Sequence, residues 1–353
     1  MKNNKPSKKK IPFPVSEPLR QYLTKYNRCT QLPVKYEDLL CYANSATLYD
    51  QQGRDTLWET VQFNQSDEAE LSRALTYIYA LLKTDGNLDV LQHLTVSRID
   101  YCHFGNTKPF RVRIVNRLND NYDHFYVKKT DANRVYGLEL EELLSPNHVM
   151  YFVDGKTLIE EHIAGIPGER FMEHHAEVSV FNQIRVAKEF VKFNERCFVR
   201  LLGDMRSYNY VIDITPDIEG NQYRMRAIDF DQQSYEGRKN FYLPQYFKEN
   251  NPIIFMGIRH MSNETVHQYQ LEERTLISVR IKNAQKRVDE LLDVMAGDTL
   301  SFPEKVDQLK HELAEHHHNN RFLRCTTMGE IVKTNIQLLL QKDFKQSMLM
   351  PER

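Results

Sequence analysis

The feature that most limits what this chain can fold into is a change in hydrophobic period along its length. From about Thr95, apolar residues recur at every second position, as in strands. Val96 to Ile99, Phe110 to Val115 and Phe125 to Val127 read as short strands, separated by Gly, Asn and Asp turns. Residues 131 to 144 switch to a helical pattern that Pro146 ends. Val149 to Val153 and Thr157 to Ile163 then suggest a hairpin around Asp154-Gly155. This stretch predicts a small, mainly antiparallel sheet carrying one helix.

Helical spacing flanks that sheet on both sides. Residues 11 to 94 read as an irregular helical extension. Its clearest helix follows Ser66-Asp67, with Asp67 and Glu70 spaced as a capping box. Leu71, Ala74, Leu75, Ile78 and Leu82 form the apolar stripe of that helix, which Gly86 ends. After Gly168, the residues Phe181, Ile184, Ala187 and Val191 mark a further helix. Strands are expected at Phe198 to Leu202, Tyr210 to Ile214 and Tyr223 to Ile228, with Pro216 and Gly220-Asn221 turning between the last two. Residues 263 to 296, 302 to 316 and 328 to 342 are expected to be helical. The fold class is therefore α+β, with a sheet region at 95–163 and a catalytic and helical region at 164–353.

Composition narrows the partners. Lys plus Arg (47) almost equals Asp plus Glu (48), so nucleic acid is not expected to bind the chain. The five cysteines, Cys29, Cys41, Cys102, Cys197 and Cys325, are widely spaced and match no zinc or redox motif, which fits reduced thiols in the cytoplasm. Lys2, Lys5, Lys8, Lys9 and Lys10 give residues 1 to 10 the character of a solvated basic tail, not a secretory signal. No run approaches the ~18 apolar residues of a membrane span. HELAEHHH at 311 to 318 resembles a zinc helix only superficially, because Glu315 stands where the second His would be needed.

Chemistry concentrates in LLGDMRSYNYVID at 201 to 213 and AIDFD at 227 to 231. Asp204 and Asn209 occupy a polar loop between apolar segments, and Asp229 follows the apolar end of a strand. A carboxylate leaving an apolar strand is costly there unless it is paired or metal-bound. Phosphoryl transfer needs such parts: a carboxylate at the nucleophile, hard oxygen ligands for Mg²⁺, and a Lys on the nucleotide phosphates positioned by an acid.

These segments resemble the catalytic loop and metal-binding motif of protein-kinase-like enzymes, in particular aminoglycoside and choline phosphotransferases. That branch has an HGD loop, an Asn five positions after its Asp, then a strand and an ID-aromatic-acid segment. The resemblance covers roughly residues 95 to 235 and implies a two-lobed fold using ATP and Mg²⁺. It implies that Asp204 is the catalytic carboxylate and that Asn209 and Asp229 hold the metal, while Asp231 reads as a plain loop carboxylate, with a second metal contact as the alternative. FYVKK at 125 to 129 resembles the strand with the phosphate-binding Lys, which would be Lys128 or Lys129. Glu139, or else Glu142, would be the helix acid that pairs with it. LIEEHIAGIPG at 158 to 168 resembles the hinge of small-molecule kinases, so backbone groups of Glu161, His162 and Ile163 would meet adenine.

The pattern departs from the family at two places. Leu202 stands where a loop-bracing His is usual, and HFGNTKPF at 103 to 110 replaces a glycine-rich phosphate loop. Arg206 adds a cation that could stabilise the transferred phosphoryl group. The resemblance leaves several functions open: a kinase of small molecules, a protein kinase, a pseudokinase that binds nucleotide or a partner without catalysis, or a nucleotidyl transferase. The acceptor is a small molecule or a protein, and a membrane partner is not expected.

Overall fold

The computed structural model describes residues 10–84, 88–174, 179–218 and 220–347. Lys2, Lys5, Lys8, Lys9 and Gly86 lie outside the described residues. The chain divides into two compact units, Met1–Asp131 with Val149–His162 and Ala132–His148 with Ile163–Arg353.

The first unit contains α1 (Glu17–Lys25), α2 (Tyr36–Leu39), β1 (Asn44–Tyr49), β2 (Asp55–Gln62), α3 (Gln65–Lys83), β3 (Leu94–Cys102), β4 (Phe110–Asn116), β5 (Tyr122–Lys129), β6 (Tyr151–Asp154) and β7 (Thr157–Glu161). Its seven strands form one antiparallel sheet in the order β1-β2-β3-β4-β5-β7-β6. The register Phe110↔Val127 and Val112↔Phe125 sets buried residues opposite one another on one face. Leu75, Ile78 and Leu82 of α3 are buried in the same apolar cluster. Intervening side chains such as Arg111, Arg113, His124 and Tyr126 face the other way. Asp100 is fully buried there and accepts from Arg111 (2.8 Å) and Thr60 (2.9 Å), while Arg111 stacks on Trp58 at 4.6 Å.

Three expectations for this region need correction. Residues 44–62 form the β1–β2 hairpin, not part of a helical extension. Most of β1 is exposed and only Ala46 and Leu48 mark its period of two, too short a run to stand out in an apolar count. Its turn is set by Asp50, whose carboxylate accepts from the Arg54 amide (2.8 Å), and by Gly53 at φ +73°. Helix α3 starts at Gln65, so Asp67 and Glu70 lie inside its first turns and do not cap it. Lys10 is not solvated: its ammonium is buried against Asp131.

The second unit contains α4 (Ala132–Leu144), β8 (Ile166–Pro167), α5 (Gly168–His174), α6 (Val180–Arg200), β9 (Tyr210–Asp217), β10 (Gly220–Ala227), α7 (Asn251–His260), α8 (Asn263–Asn283), α9 (Gln285–Gly297), α10 (Pro303–His317) and α11 (Met328–Ser347). Its sheet has three antiparallel strands in the order β10-β9-β8. Helix α4 groups with this unit, although the sequence places it with the first sheet. Its buried charges explain the grouping. Glu141 meets Arg200 and accepts from Asn147 and Ser145 at 2.7 Å, and Glu139 accepts from Arg287 at 2.8 Å.

Phe198 to Leu202 is not a strand but the end of α6 and the turn that follows it. A buried helix end and a buried strand give the same unbroken apolar run. Leu201 closes the helix in the left-handed region at φ +56°. The carbonyls orphaned at this end are met by two buried amides. Asn335 donates to Phe198 O (2.9 Å) and Val199 O (3.1 Å), and Gln233 donates to Arg200 O (2.5 Å) and Leu201 O (3.3 Å). Pro216 and Gly220-Asn221 lie at the ends of β9 and β10, and the stretch 263–296 breaks at Ala284 into α8 and α9.

Asn335→Leu keeps the side-chain volume but leaves both α6 carbonyls without that donor. It should lower stability by about 1–3 kcal/mol in urea unfolding, the cost of a buried polar group left unmet. An unchanged midpoint would show that the end of α6 does not depend on the amide.

Candidate functional site

The turn after α6 delivers the loop that carries Asp204. The loop is stapled to the segment after β10: Leu202 bridges Gln233, Gly203 N donates to Gln232 O (3.3 Å), and Ser234 N donates to Leu201 O (2.9 Å). Gly203 permits this approach, because a Cβ there would lie 2.7 Å from the Phe241 ring. Bracing of the loop falls to Gln233 and to Asn250, which donates to Met205 O at 3.0 Å, while Leu202 is buried.

Asp204 adopts φ +60°, a left-handed conformation that is costly for most residues and commoner for Asp and Asn. Its backbone is fixed by Asp204 N to Phe241 O (3.1 Å) and Arg206 N to Asp204 O (2.8 Å). Arg206 Nε donates to the Asp204 carboxylate (2.8 Å), its Nη1 donates to Glu249 (2.7 Å), and its guanidinium lies 4.9 Å from the centre of the Phe247 ring. Burial raises the Asp204 pKa above the ordinary aspartate value, and Arg206 offsets part of that rise.

Asn209 ties Asp204 to the third residue. Its amide nitrogen donates to Asp204 O (2.7 Å) and reaches Asp204 Oδ2 at 3.4 Å. That arrangement leaves Oδ1 as its acceptor end, and no protein donor among the described residues bonds to it. Asn209 O accepts from Ile228 N (3.0 Å), which sets Asp229 beside the loop. Asp204, Asn209 and Asp229 are therefore gathered on two stapled segments.

Arg134 of α4 is a residue that motif reasoning missed. Its Nη1 donates to Asp229 (2.9 Å) and Asp231 (2.7 Å), and its side chain is 3% exposed. Asp231 N also donates to Asp229 Oδ1 (3.0 Å). Gly137 allows α4 to come this close, since a Cβ there would lie 2.8 Å from Phe230 Cβ. The only advance signal was the single basic side chain in a helix whose other charges, Glu139, Glu141 and Glu142, are acidic.

The other candidates lie apart from this group in sequence, most of them in the first unit. Lys128, next to last in β5, donates to Glu160 at 2.6 Å, a partner the sequence reading did not offer. Lys129 is exposed and lies 5.4 Å over the Tyr36 ring. Glu139, in the second unit, bonds Arg287, and Glu142 pairs with His148 at 2.7 Å. Glu161 N donates to Met150 O (3.0 Å) and its carboxylate accepts from Lys83 (2.7 Å). His162 Nδ1 lies 3.2 Å from the Tyr126 hydroxyl, and burial lowers the His162 pKa. Ile163 is buried.

Asn209 Oδ1 and the Asp229 carboxylate are hard oxygen donors of the type Mg²⁺ takes. The Asp229 carboxylate is paired with Arg134, so a metal bound there would have to displace that guanidinium. Among the described residues, no group of three or more His, Cys, Asp or Glu is arranged to hold a metal. Of the HELAEHHH histidines, His317 is buried, 3.1 Å from Asn335 and stacked on Phe322, whereas His316 is exposed and lies 3.2 Å from Lys239. Compared with known proteins, the chain matches no family model and shows no significant similarity to a curated protein.

Two variants separate structural from functional charge here. Arg134→Met leaves the buried Asp231 carboxylate without its guanidinium and should cost about 3–5 kcal/mol in urea unfolding. Asp204→Asn should act in the opposite direction. Because burial raises the Asp204 pKa, the folded state favours the neutral carboxyl, and ionisation destabilises the fold as pH rises through the folded value. The variant should therefore melt above wild type at neutral pH, with the gap narrowing as pH falls below that value. A gap that widens at low pH would contradict the burial argument.

Proposed function

We propose that this chain is a Mg²⁺-ATP-dependent phosphotransferase with a protein-kinase-like fold, acting on a hydroxyl of a small molecule or protein in the cytoplasm. One observation carries the reading: Asn209 holds Asp204 through its amide nitrogen, its side-chain oxygen accepts from no donor among the described residues, and its backbone carbonyl accepts from the Ile228 N–H just before Asp229. An unbonded Oδ1 alone does not mark a functional Asn, since Asn133 and Asn147 leave theirs unmet as well; it is the position beside Asp204 that supports the reading.

In this reading Asp204 orients the acceptor hydroxyl and takes its proton. Its raised pKa makes it a better base than an ordinary aspartate, and the left-handed backbone fixes where the carboxylate points. Arg206, bonded to Asp204, would face charge on the transferred group. Asn209 and Asp229 would hold Mg²⁺, which supplies charge neutralisation at the phosphates. Lys128 is the candidate for the phosphate contact and would have to exchange Glu160 for it. Since Glu161 N is already bonded to Met150 O, the adenine contacts would fall to backbone groups of His162 and Ile163.

A second reading rests on Arg134. Its guanidinium neutralises Asp229 and Asp231 without any metal, which suits a pseudokinase in which a fixed cation stands in for Mg²⁺.

Turnover separates the two readings. Asp204→Asn should keep ATP-dependent thermal stabilisation and lose about 10²- to 10⁴-fold in phosphate transfer or ATP hydrolysis. ATP binding with no wild-type turnover on any acceptor would favour the pseudokinase. In the active enzyme, the acid limb of kcat/KM should lie above the ordinary aspartate range. Arg206→Gln removes the influence that lowers the Asp204 pKa, so it should move that limb to higher pH. A limb that stays in place would show that Asp204 is not the group being titrated.

A further inference from the structure

A cavity of about 280 Å³ lies away from the Asp204 loop, between the β9–β10 hairpin and helices α6 and α8. Its lining includes four cations, Lys192, Arg196, Arg224 and Arg280, against two carboxylates, Glu189 and Glu273. With Lys192 balanced by Glu272 just outside the lining, one positive charge is left in excess at the pocket.

The cations differ in what they bond. Arg196 is buried and committed: its Nη2 donates to Glu189 (2.6 Å) and to Met225 O (3.3 Å), and its Nη1 lies 3.3 Å from Glu273. Lys192 pairs with Glu272 at 2.8 Å. The Arg280 guanidinium makes no hydrogen bond among the described residues, and its ion pair with Glu273, which Arg196 shares, is long at 3.7 Å. Arg224 is exposed at the rim and likewise has no side-chain partner among the described residues. Burial and the neighbouring Arg196 charge hold the Arg280 pKa below the usual arginine value, with Glu273 opposing them. Its charge is under-compensated by the protein.

An arginine kept partly buried without a hydrogen bond is unfavourable for stability. A guanidinium matches a tetrahedral oxyanion through paired N–H donors, and two of them around a cavity of this size can hold one. We propose that this cavity binds a phosphate group, as the free ion or as a small monoester, between Arg280 and Arg224. Arg196 acts as a positioning residue, fixed by Glu189 at the cavity floor. The site does not depend on the phosphotransferase reading, because none of its residues belongs to the Asp204 loop or the Asp229 segment.

The test is thermal denaturation with millimolar inorganic phosphate or glycerol 2-phosphate, against sodium chloride at matched ionic strength. Phosphate should raise the Tm by about 2–4 °C beyond the chloride control. That shift should survive in Asp229→Ala and disappear in Arg280→Gln. Arg224→Gln, at an exposed position that does not endanger folding, should reduce it, and ³¹P line broadening should follow the same order. A response to either phosphate compound with this pattern supports the site. An equal response to chloride would overturn it as charge screening. A shift abolished by Asp229→Ala and retained in Arg280→Gln would overturn it by assigning the anion to the Asp204 group.

Discussion

A helix that ends inside a protein leaves carbonyl groups that water cannot reach, and α6 ends in this way beneath α11. Asn335 and Gln233 meet those carbonyls from two directions. Gln233 also belongs to the segment after β10, so closing the helix fixes that segment against the turn at Leu201 and Leu202. The Asp204 loop begins at this turn and the Asp229 segment ends at it. Their proximity thus follows from hydrogen-bond satisfaction at one helix end, before any ligand is considered.

The second unit also encloses an unusual amount of charge. Glu139, Glu141, Arg196 and Arg200 are almost wholly buried, each with an opposite charge. Such pairs add little net stability over apolar packing, yet breaking one is costly, so they fix which arrangement is allowed. Arg134 extends this lattice to Asp229 and Asp231. Asp229 is the more exposed of the two carboxylates, at 35% against 7%, so under the proposed function it is the one that would exchange Arg134 for Mg²⁺. Asp204 stands outside the lattice in one respect: its burial leaves it with a raised pKa despite Arg206.

The sequence showed most of the sheet and the candidate loop, and the reasons are physical. β4 and β5 alternate cleanly because one face of each packs against α3 and the other is polar. β1 was hidden because it buries almost nothing. The end of α6 was hidden for the opposite cause, since burial on every side erases periodicity. Asp204, Asn209 and Asp229 were legible because charge set among apolar segments is conspicuous. Arg134, Glu160, Arg287 and the Arg280 cavity were not legible, because each takes its meaning from a partner distant in sequence.

The central claim is that Asn209 and Asp229 are metal ligands beside a general-base Asp204. A crystal structure with Mg²⁺ and a non-hydrolysable ATP analogue tests it most directly. The account predicts Mg²⁺ at about 2.1 Å from Asn209 Oδ1 and an Asp229 oxygen, with the γ-phosphate facing Asp204. Nucleotide bound with the Arg134 pair to Asp229 intact and no metal on Asn209, or no nucleotide at saturating concentration, would contradict it.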